Sequence, residues 1–496
     1  MHINLRHRPC VLAIDIGTSS VRTILFDQRG QMASSAFQNI YKMETSSDGG
    51  VYIDADRLVE EVGSVLDKFC SVGGHPPIDG VAMTTFWHNV VGVEGDHAIT
   101  PLISWADTRP GAIIGELREQ LDTSALHKRT GCVLHSSYLP AKIWWFARND
   151  PKKFARVDRW MSIGEYLFLK WFGEPACSVS MASGTGLFNA HCCDWDNQTL
   201  AALPVDRSQL TALSNEKEAV HGLVEAYAAR WPILAGAAWY PAIGDGASNN
   251  IGSGCVDKNH IALMVGTSGA MRVMQRIGKF SVPDGLWCYR SDRRRILIGG
   301  AVSNGGNVYD WMRSSLHLGD EKILEKELSG MQPDSHGLTV LPFWAGERSP
   351  GWHPAATAAV TGMTLHTTPL DIMRASLEAT TFCFADIYNR LRSINIESGN
   401  IESGKIVASG AGLLKSPAWM QMLADVLEQP VTASAVKEAS SRGAALLALE
   451  FMDALEDLSQ VVAPIEKTYQ PNLSNSSRYR EAMNRYQELY DMMMDS

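Results

Sequence analysis

The sequence has no uncharged apolar run reaching the ~18 residues of a membrane-spanning helix, so no transmembrane segment is expected. Its nine cysteines include no C-x-x-C pair, which leaves zinc ribbons and thioredoxin-like redox sites unsupported. Their odd number and scatter, with only Cys192 and Cys193 adjacent, fit a reduced, cytoplasmic chain better than a disulfide framework. No Lys/Arg run offsets the net charge of −10, so nucleic acid is not an expected partner. Arg6, His7 and Arg8 are followed by only a short apolar stretch before Asp15, too short for the core of a secretory signal. No G-x-G-x-x-G opens a helix after a strand, which disfavours a dinucleotide fold. Gly399–Lys405 does spell G-x-x-x-x-G-K. However, Ile406 stands where a phosphate loop needs Ser or Thr, and the segment precedes a strand instead of following one.

What is present is an ordinary globular composition, 45% hydrophobic and 20% charged, over 496 residues, enough for two or three domains. Val11–Ile16, Val21–Phe26 and Gln31–Ile40 read as strands separated by two tight turns. Connections that short imply an antiparallel meander. Asp56–Phe69 has helical periodicity, with Asp56 as its cap. Ile78–Thr84 and Val90–Val93 read as strands, residues 110–235 as mostly helical, and the last ~30 residues as a terminal helix.

The opening pattern returns half a chain later. His260–Val265 is an apolar strand, Gly266-Thr267-Ser268 turns, and Ala270–Met274 continues extended. This matches the strand, Gly17-Thr18-Ser19 turn and strand at the N-terminus. Two related domains follow, 1–253 and 254–496, with the boundary in the Gly-rich stretch Gly244–Gly254. A tandem repeat, Ile396–Gly399 and Ile401–Gly404, carries no functional reading.

Asp15-x-Gly17-Thr18-Ser19-Ser20-x-Arg22 concentrates chemistry. A carboxylate in an apolar strand is costly unless paired or near a metal. The turn after it offers N–H and hydroxyl donors to phosphate oxygens. A plain hairpin is the alternative, and the second copy weakens it. Two such hairpins facing each other would clamp a nucleotide triphosphate. Gly244-Asp245-Gly246 places a carboxylate where the backbone can approach a ligand closely; a polar turn is the alternative. Asn304–Asn307 and Ser409–Gly412 are Gly-rich loops before helices, suited to nucleotide contacts. Trp87-His88 and Trp105–Arg109 pair aromatic faces with hydrogen-bonding groups, as polyhydroxylated ligands require. Core tryptophans with polar neighbours would look the same.

Together these motifs resemble the FGGY carbohydrate kinases from Val11 to about Glu450. Ala358–Met363 with Asp371–Glu378 is similar to one family signature, and Lys142–Trp145 to part of another. The gluconokinase branch is the most similar, on Ile103–Arg109, Arg129–Gly131, Gly164–Tyr166, Ser180–Ser183, Val265–Ala270, Ile298–Gly306 and Ala345–Arg348. The resemblance implies an α/β fold of two ribonuclease H-like (actin-like ATPase) domains around an interdomain cleft. It also implies ATP and Mg2+.

By resemblance, Asp15 lies near the metal together with Asp245, and Thr18, Ser19, Ser20 and Arg22 approach the phosphates. Thr267, Gly306 and Asp310 hold the nucleotide, and Gly410, Gly412 and Ser416 line the adenosine pocket. Trp87, His88, Asp107 and Asp245 match sugar-binding positions, with Asp245 as catalytic base. Glycerol kinases carry Arg-Glu where this chain has Trp87-His88 and Tyr where it has Ser137, so glycerol is not the expected substrate. The implied reaction is phosphorylation of D-gluconate to 6-phosphogluconate, with Arg109, Lys142 or His88 as the cation for the acid. Xylulose or another pentose or polyol is the alternative. A nucleotide-switched actin-like binding protein is a distant one. The expected partners are a small sugar or sugar acid, with a homodimer compatible and no membrane.

Overall fold

The structure, a computed structural model, describes residues 9–394 and 404–494. The basic Arg6–Arg8, the tandem repeat apart from Gly404, and most of Gly399–Lys405 lie outside the described residues. The chain forms two compact units. The first comprises residues up to Val256 together with two later segments, Cys288–Leu297 and Glu438–Val462; the second holds the remainder.

The first unit opens with β1 (Val11–Ile16), β2 (Ser20–Phe26) and β3 (Phe37–Ile40), paired antiparallel in that order. The third strand is shorter than its sequence reading, because only an isolated bridge from Met32 to Phe26 orders the stretch before it. Helix α1 (Ala55–Ser71) buries Leu58, Val59, Val62, Leu66 and Phe69. Its cap is Asp54, which accepts the Arg57 N–H at 2.8 Å, and not Asp56, which instead accepts the Tyr166 hydroxyl at 2.6 Å. Strand β4 (Gly80–Thr85) lies parallel to β1. Helix α2 is Leu139–Asn149, and β5 (Ala238–Gly244) is parallel to β4. Helix α3 (Asp245–Gly252) follows directly, so the Gly-rich stretch expected to be a loop is mostly helical. The sheet order is β5-β4-β1-β2-β3. Between residues 184 and 224 the expected helices are largely missing. Only Asn197–Leu200 and the turn Arg207–Gln209 are helical there, because Phe188 and Trp195 join the hydrophobic core from a short antiparallel ladder and Leu210 from an irregular stretch.

The second unit repeats the plan. β6 (His260–Val265) pairs antiparallel with β7 (Gly269–Arg276). The hairpin β8 (Trp287–Arg290) and β9 (Arg295–Val302), whose outer part Cys288–Leu297 belongs to the first unit, leads into α4 (Gly306–Ser315). The 24-residue α5 (Pro369–Arg392) is capped by Thr368 in a capping box with Asp371. β10 (Lys405–Ser409) is parallel to β6, and α6 (Pro417–Leu427) precedes β11 (Val431–Ser434). Helix α7 (Ala439–Phe451) belongs to the first unit, and β12 (Ile465–Tyr469) and α8 (Ser476–Met494) finish the second. Each unit therefore has an antiparallel hairpin joined edgewise to a parallel strand, with the Gly-Thr-Ser turn at the hairpin's bend. This is the ribonuclease H-like repeat of an actin-like ATPase fold.

Within the first unit, α3 and α7 pack backbone to backbone. A Cβ on Gly252 would lie 1.7 Å from the Ala439 carbonyl oxygen, and one on Gly443 would lie 1.8 Å from that of Ser248. Buried Arg442 fastens this pair, donating to the carbonyls of Gly30, Gly252 and Val462.

Candidate active site

Parallel neighbours end together, and their carboxyl edge is where open α/β sheets bind ligands. Thr85 sits opposite Ile16 on one side and Gly244 on the other, so the turn after β1 and the start of α3 emerge side by side. A cavity of about 270 Å³ opens there, lined by Asp15, Gly17, Thr18, Ser19, Ser20, Arg22, Phe86, Trp105 and Asp245. Larger grooves exist in both units, but neither sets two carboxylates against a hydroxyl-rich turn.

The turn is held from below. The Gly17 N–H bonds the Ser20 carbonyl at 2.9 Å, the Tyr41 N–H bonds that of Ser19 at 3.0 Å, and the Tyr41 hydroxyl donates to the Gly17 carbonyl. Asp15 faces Arg22 across the hairpin. Burial pushes its carboxyl up to about 7; Arg22 opposes the shift, while Asp245 and Glu438 add to it. The Ser441 hydroxyl donates to it at 3.4 Å. Arg22 bonds Glu438 at 3.3 Å, so its charge is already shared with a carboxylate. Tyr41, Glu438 and Ser441 are site residues that the sequence reading missed. The last two come from a segment more than 400 residues away, and no local pattern marks it.

Asp245 begins α3 and accepts the Gly246 N–H at 2.8 Å. Trp87 fixes the strand end before it. Its indole covers Gly244 so closely that a Cβ there would lie 1.8 Å from the ring. The Trp87 N–H donates to the Ser180 carbonyl at 3.0 Å, and the Ser180 hydroxyl accepts the Gly244 N–H at 3.1 Å.

His88 has φ 63°, an unusual backbone for a non-glycine residue that turns the chain after Trp87. Its Nδ1 bonds the Gly184 carbonyl, and its ring meets those of Tyr138 and Tyr289.

Asp107 is not on the cavity wall. It is fully buried and accepts the Val51 N–H at 3.0 Å, the Arg109 N–H at 3.1 Å and the Arg109 guanidinium fork at 2.6–3.2 Å. Arg109 in turn stacks over Trp145 and Tyr52. Lys142 is also buried and donates to the carbonyls of His88 and Ser104. Burial pushes its ammonium down to about 7, against the pull of Asp107. All three groups considered as the cation for a substrate carboxylate therefore have partners within the protein.

In the second unit, three glycine loops meet. The Gly306 N–H bonds the Gly266 carbonyl at 2.9 Å and the Asn307 N–H bonds that of Thr267 at 3.0 Å. A Cβ on Gly306 or Gly412 would lie 2.3 or 2.5 Å from the Gly266 oxygen. Gly410 has φ 92°, which glycine alone tolerates readily. Thr267, Gly306, Gly410 and Gly412 are thus brought together at the start of α4, where a helix N-terminus favours anions. Asp310 lies one turn further on, exposed and paired with Lys415 at 2.6 Å. Ser416 is fully buried and caps α6 through the Trp419 N–H. Of the residues expected around the nucleotide, Ser416 is thus enclosed, while Asp310 keeps an exposed face beside its Lys415 partner.

Asp15 and Asp245 are hard oxygen donors on one cavity, and their mutual repulsion invites a cation. Mg2+ typically takes one or two carboxylates and keeps its waters and substrate phosphates, so this donor set fits it. Among the described residues no helix is long and apolar enough to cross a membrane.

Comparison with known proteins agrees with this geometry. The N-terminal domain of the FGGY family of carbohydrate kinases matches residues 10–252, and its C-terminal domain matches 261–450. A gluconokinase of Bacillus subtilis (strain 168) is 26% identical over 95% of this chain and 94% of its own. Crystal structures of a gluconate kinase and a xylulose kinase from Lactobacillus acidophilus each superpose with a TM-score of 0.90 at 24% identity. They cover 98% of this chain and 98% and 99% of their own. With both domain matches in register with the two repeated sheets, the chain belongs to the FGGY family of carbohydrate kinases.

Proposed function

We propose that this sugar kinase transfers the γ-phosphoryl group of ATP to the terminal hydroxyl of D-gluconate, giving 6-phosphogluconate. The observation that carries the reading is the shared cavity of Asp245, Asp15 and the Gly17–Ser20 turn. The gluconokinase similarity over nearly the whole chain supports the acid substrate. Asp245 orients the hydroxyl and takes its proton as the new O–P bond forms and the bond to the departing ADP breaks. A carboxylate is a weak base towards an alcohol, so its main contribution is alignment. Thr18, Ser19 and Ser20 donate hydrogen bonds to the phosphate oxygens as charge builds there. Asp15 and Asp245 would hold Mg2+, which when bound neutralises phosphate charge. Arg22 steadies Asp15 and faces the same oxygens. Thr267, Gly306, Gly410 and Gly412 hold the nucleotide; Asp310 and Ser416 shape their loops. Trp87 and His88 receive the sugar, while Asp107 organises the wall through Arg109. A cytoplasmic location belongs with this reading.

A second reading, a neutral ketopentose such as xylulose, is favoured by one observation: Arg109 and Lys142 are bonded internally and do not line the cavity. Phosphorus NMR of the product separates the two. A single phosphomonoester on C6 of gluconate supports the first; failure to phosphorylate gluconate with xylulose turned over supports the second.

A further inference from the structure

Tyr289 lies on β8, in the part of the β8–β9 hairpin, Cys288–Leu297, that belongs to the first unit. Both of its neighbours are bolted down. The Cys288 N–H bonds the Gly131 carbonyl at 2.9 Å, and the Arg290 N–H bonds the Ser183 hydroxyl at 2.8 Å. The Arg290 guanidinium donates twice to the Ala190 carbonyl. Gly131, at φ 69°, leaves no room for a side chain, since a Cβ there would lie 2.3 Å from the Cys288 oxygen. Buried Arg295, at the start of β9, pairs with Asp292 in the hairpin turn and with Glu450. The Tyr289 ring is thereby placed 4.8 Å from Trp87 and 5.4 Å from His88, centre to centre.

The bonding has a direction. A carbonyl only accepts, so the contact with Gly184 puts a proton on His88 Nδ1. The Tyr289 hydroxyl stands 3.5 Å from that Nε2 and 2.6 Å from the Tyr138 hydroxyl. A ligand hydroxyl can both donate and accept, so it can bond Nε2 and the Tyr289 hydroxyl at once.

We infer that Tyr289, backed by Tyr138, is a specificity residue that reads one hydroxyl of the substrate's carbon chain together with His88. This rests on the proposed sugar-kinase reading and deepens it, because it places a sugar hydroxyl between Tyr289 and His88.

The test measures steady-state kinetics of wild type, Tyr289→Phe and Tyr138→Phe on D-gluconate and its monodeoxy analogues. If wild type prefers a neutral sugar, the same series is built on that sugar. Expected is a roughly three- to tenfold rise in sugar KM for Tyr289→Phe, with kcat and the KM for ATP retained, as for one lost hydrogen bond. One deoxy analogue should bind wild type and variant equally, because the hydroxyl being read is already gone. Tyr138→Phe should show a smaller effect on the same analogue. An unchanged sugar KM in both variants would overturn the inference, as would an equal penalty on every analogue. Absence of turnover by wild type with any sugar would instead refute the kinase reading itself.

Discussion

At Gly244 even a methyl group would meet the Trp87 indole at 1.8 Å, directly before the proposed base. Gly244→Ala should therefore push Asp245 off its position, costing at least tenfold in kcat/KM for sugar while ATP still binds; normal kinetics would show that the strand end is not fixed this way. Asp245→Asn keeps the shape and removes the proton acceptor. Its expected result is a fall in kcat of roughly 10²–10⁴-fold with nucleotide binding intact, read by single turnover and by titration with nucleotide. At this scale the sequence was informative wherever chemistry is local. Asp15 stood out because a carboxylate in an apolar strand is costly unless paired, and the Thr18–Ser20 turn and Asp245 because Gly and hydroxyls surround them; the structure brings all of them to one cavity. The burial of Asp107 against Arg109 was not legible, because an ion pair set by tertiary packing leaves no mark on spacing. Tyr41, Tyr289 and Ser441 escaped for the same reason: each is ordinary locally and meaningful only through a distant contact.

Among elements, the α3–α7 pair depends on bare backbone. Gly443→Ala should cost about 1–3 kcal/mol or more by overpacking against Ser248, seen as a lower urea midpoint. An unchanged midpoint would contradict the close approach. The terminal helix α8 makes a pH-dependent contact in the second unit. The Tyr490 hydroxyl bonds both oxygens of buried Glu347, at 3.1 and 2.9 Å. Burial nonetheless pushes Glu347 up to about 7 from 4.5. Between these values the folded state holds a proton that the unfolded state has lost, so this group's contribution to stability falls as pH rises from about 4.5 to 7. Glu347→Gln removes the titration. Its melting temperature relative to wild type should rise from pH 5 to pH 8, and a constant difference would refute the burial argument. Strands β1, β2, β6, β7 and β10 were legible because short apolar runs lie between Gly turns. The 184–224 region was not, because Phe188 and Trp195 serve a shared core from a two-residue ladder too short to show a period.

In the whole molecule, the chain passes from one compact unit to the other at Val256, Trp287, Leu297, Lys437 and Val462. The first unit's site thus takes Glu438 and Ser441 from near the end of the sequence, and its aromatic wall takes Tyr289 from the middle. The repeated Gly-Thr-Ser hairpin announced the duplication of the sheets, since the turn and both its strands are contiguous. The returning segments carry no comparable signal, because what recruits them is tertiary packing.

The central claim, a kinase whose sugar is gluconate, is tested most directly by coupled ADP release from ATP and Mg2+. The panel is D-gluconate, D-xylulose, L-ribulose, glycerol and no sugar. The account predicts turnover with gluconate well above every other member and little release without sugar. Faster turnover with a neutral sugar, or release independent of any sugar, would contradict it.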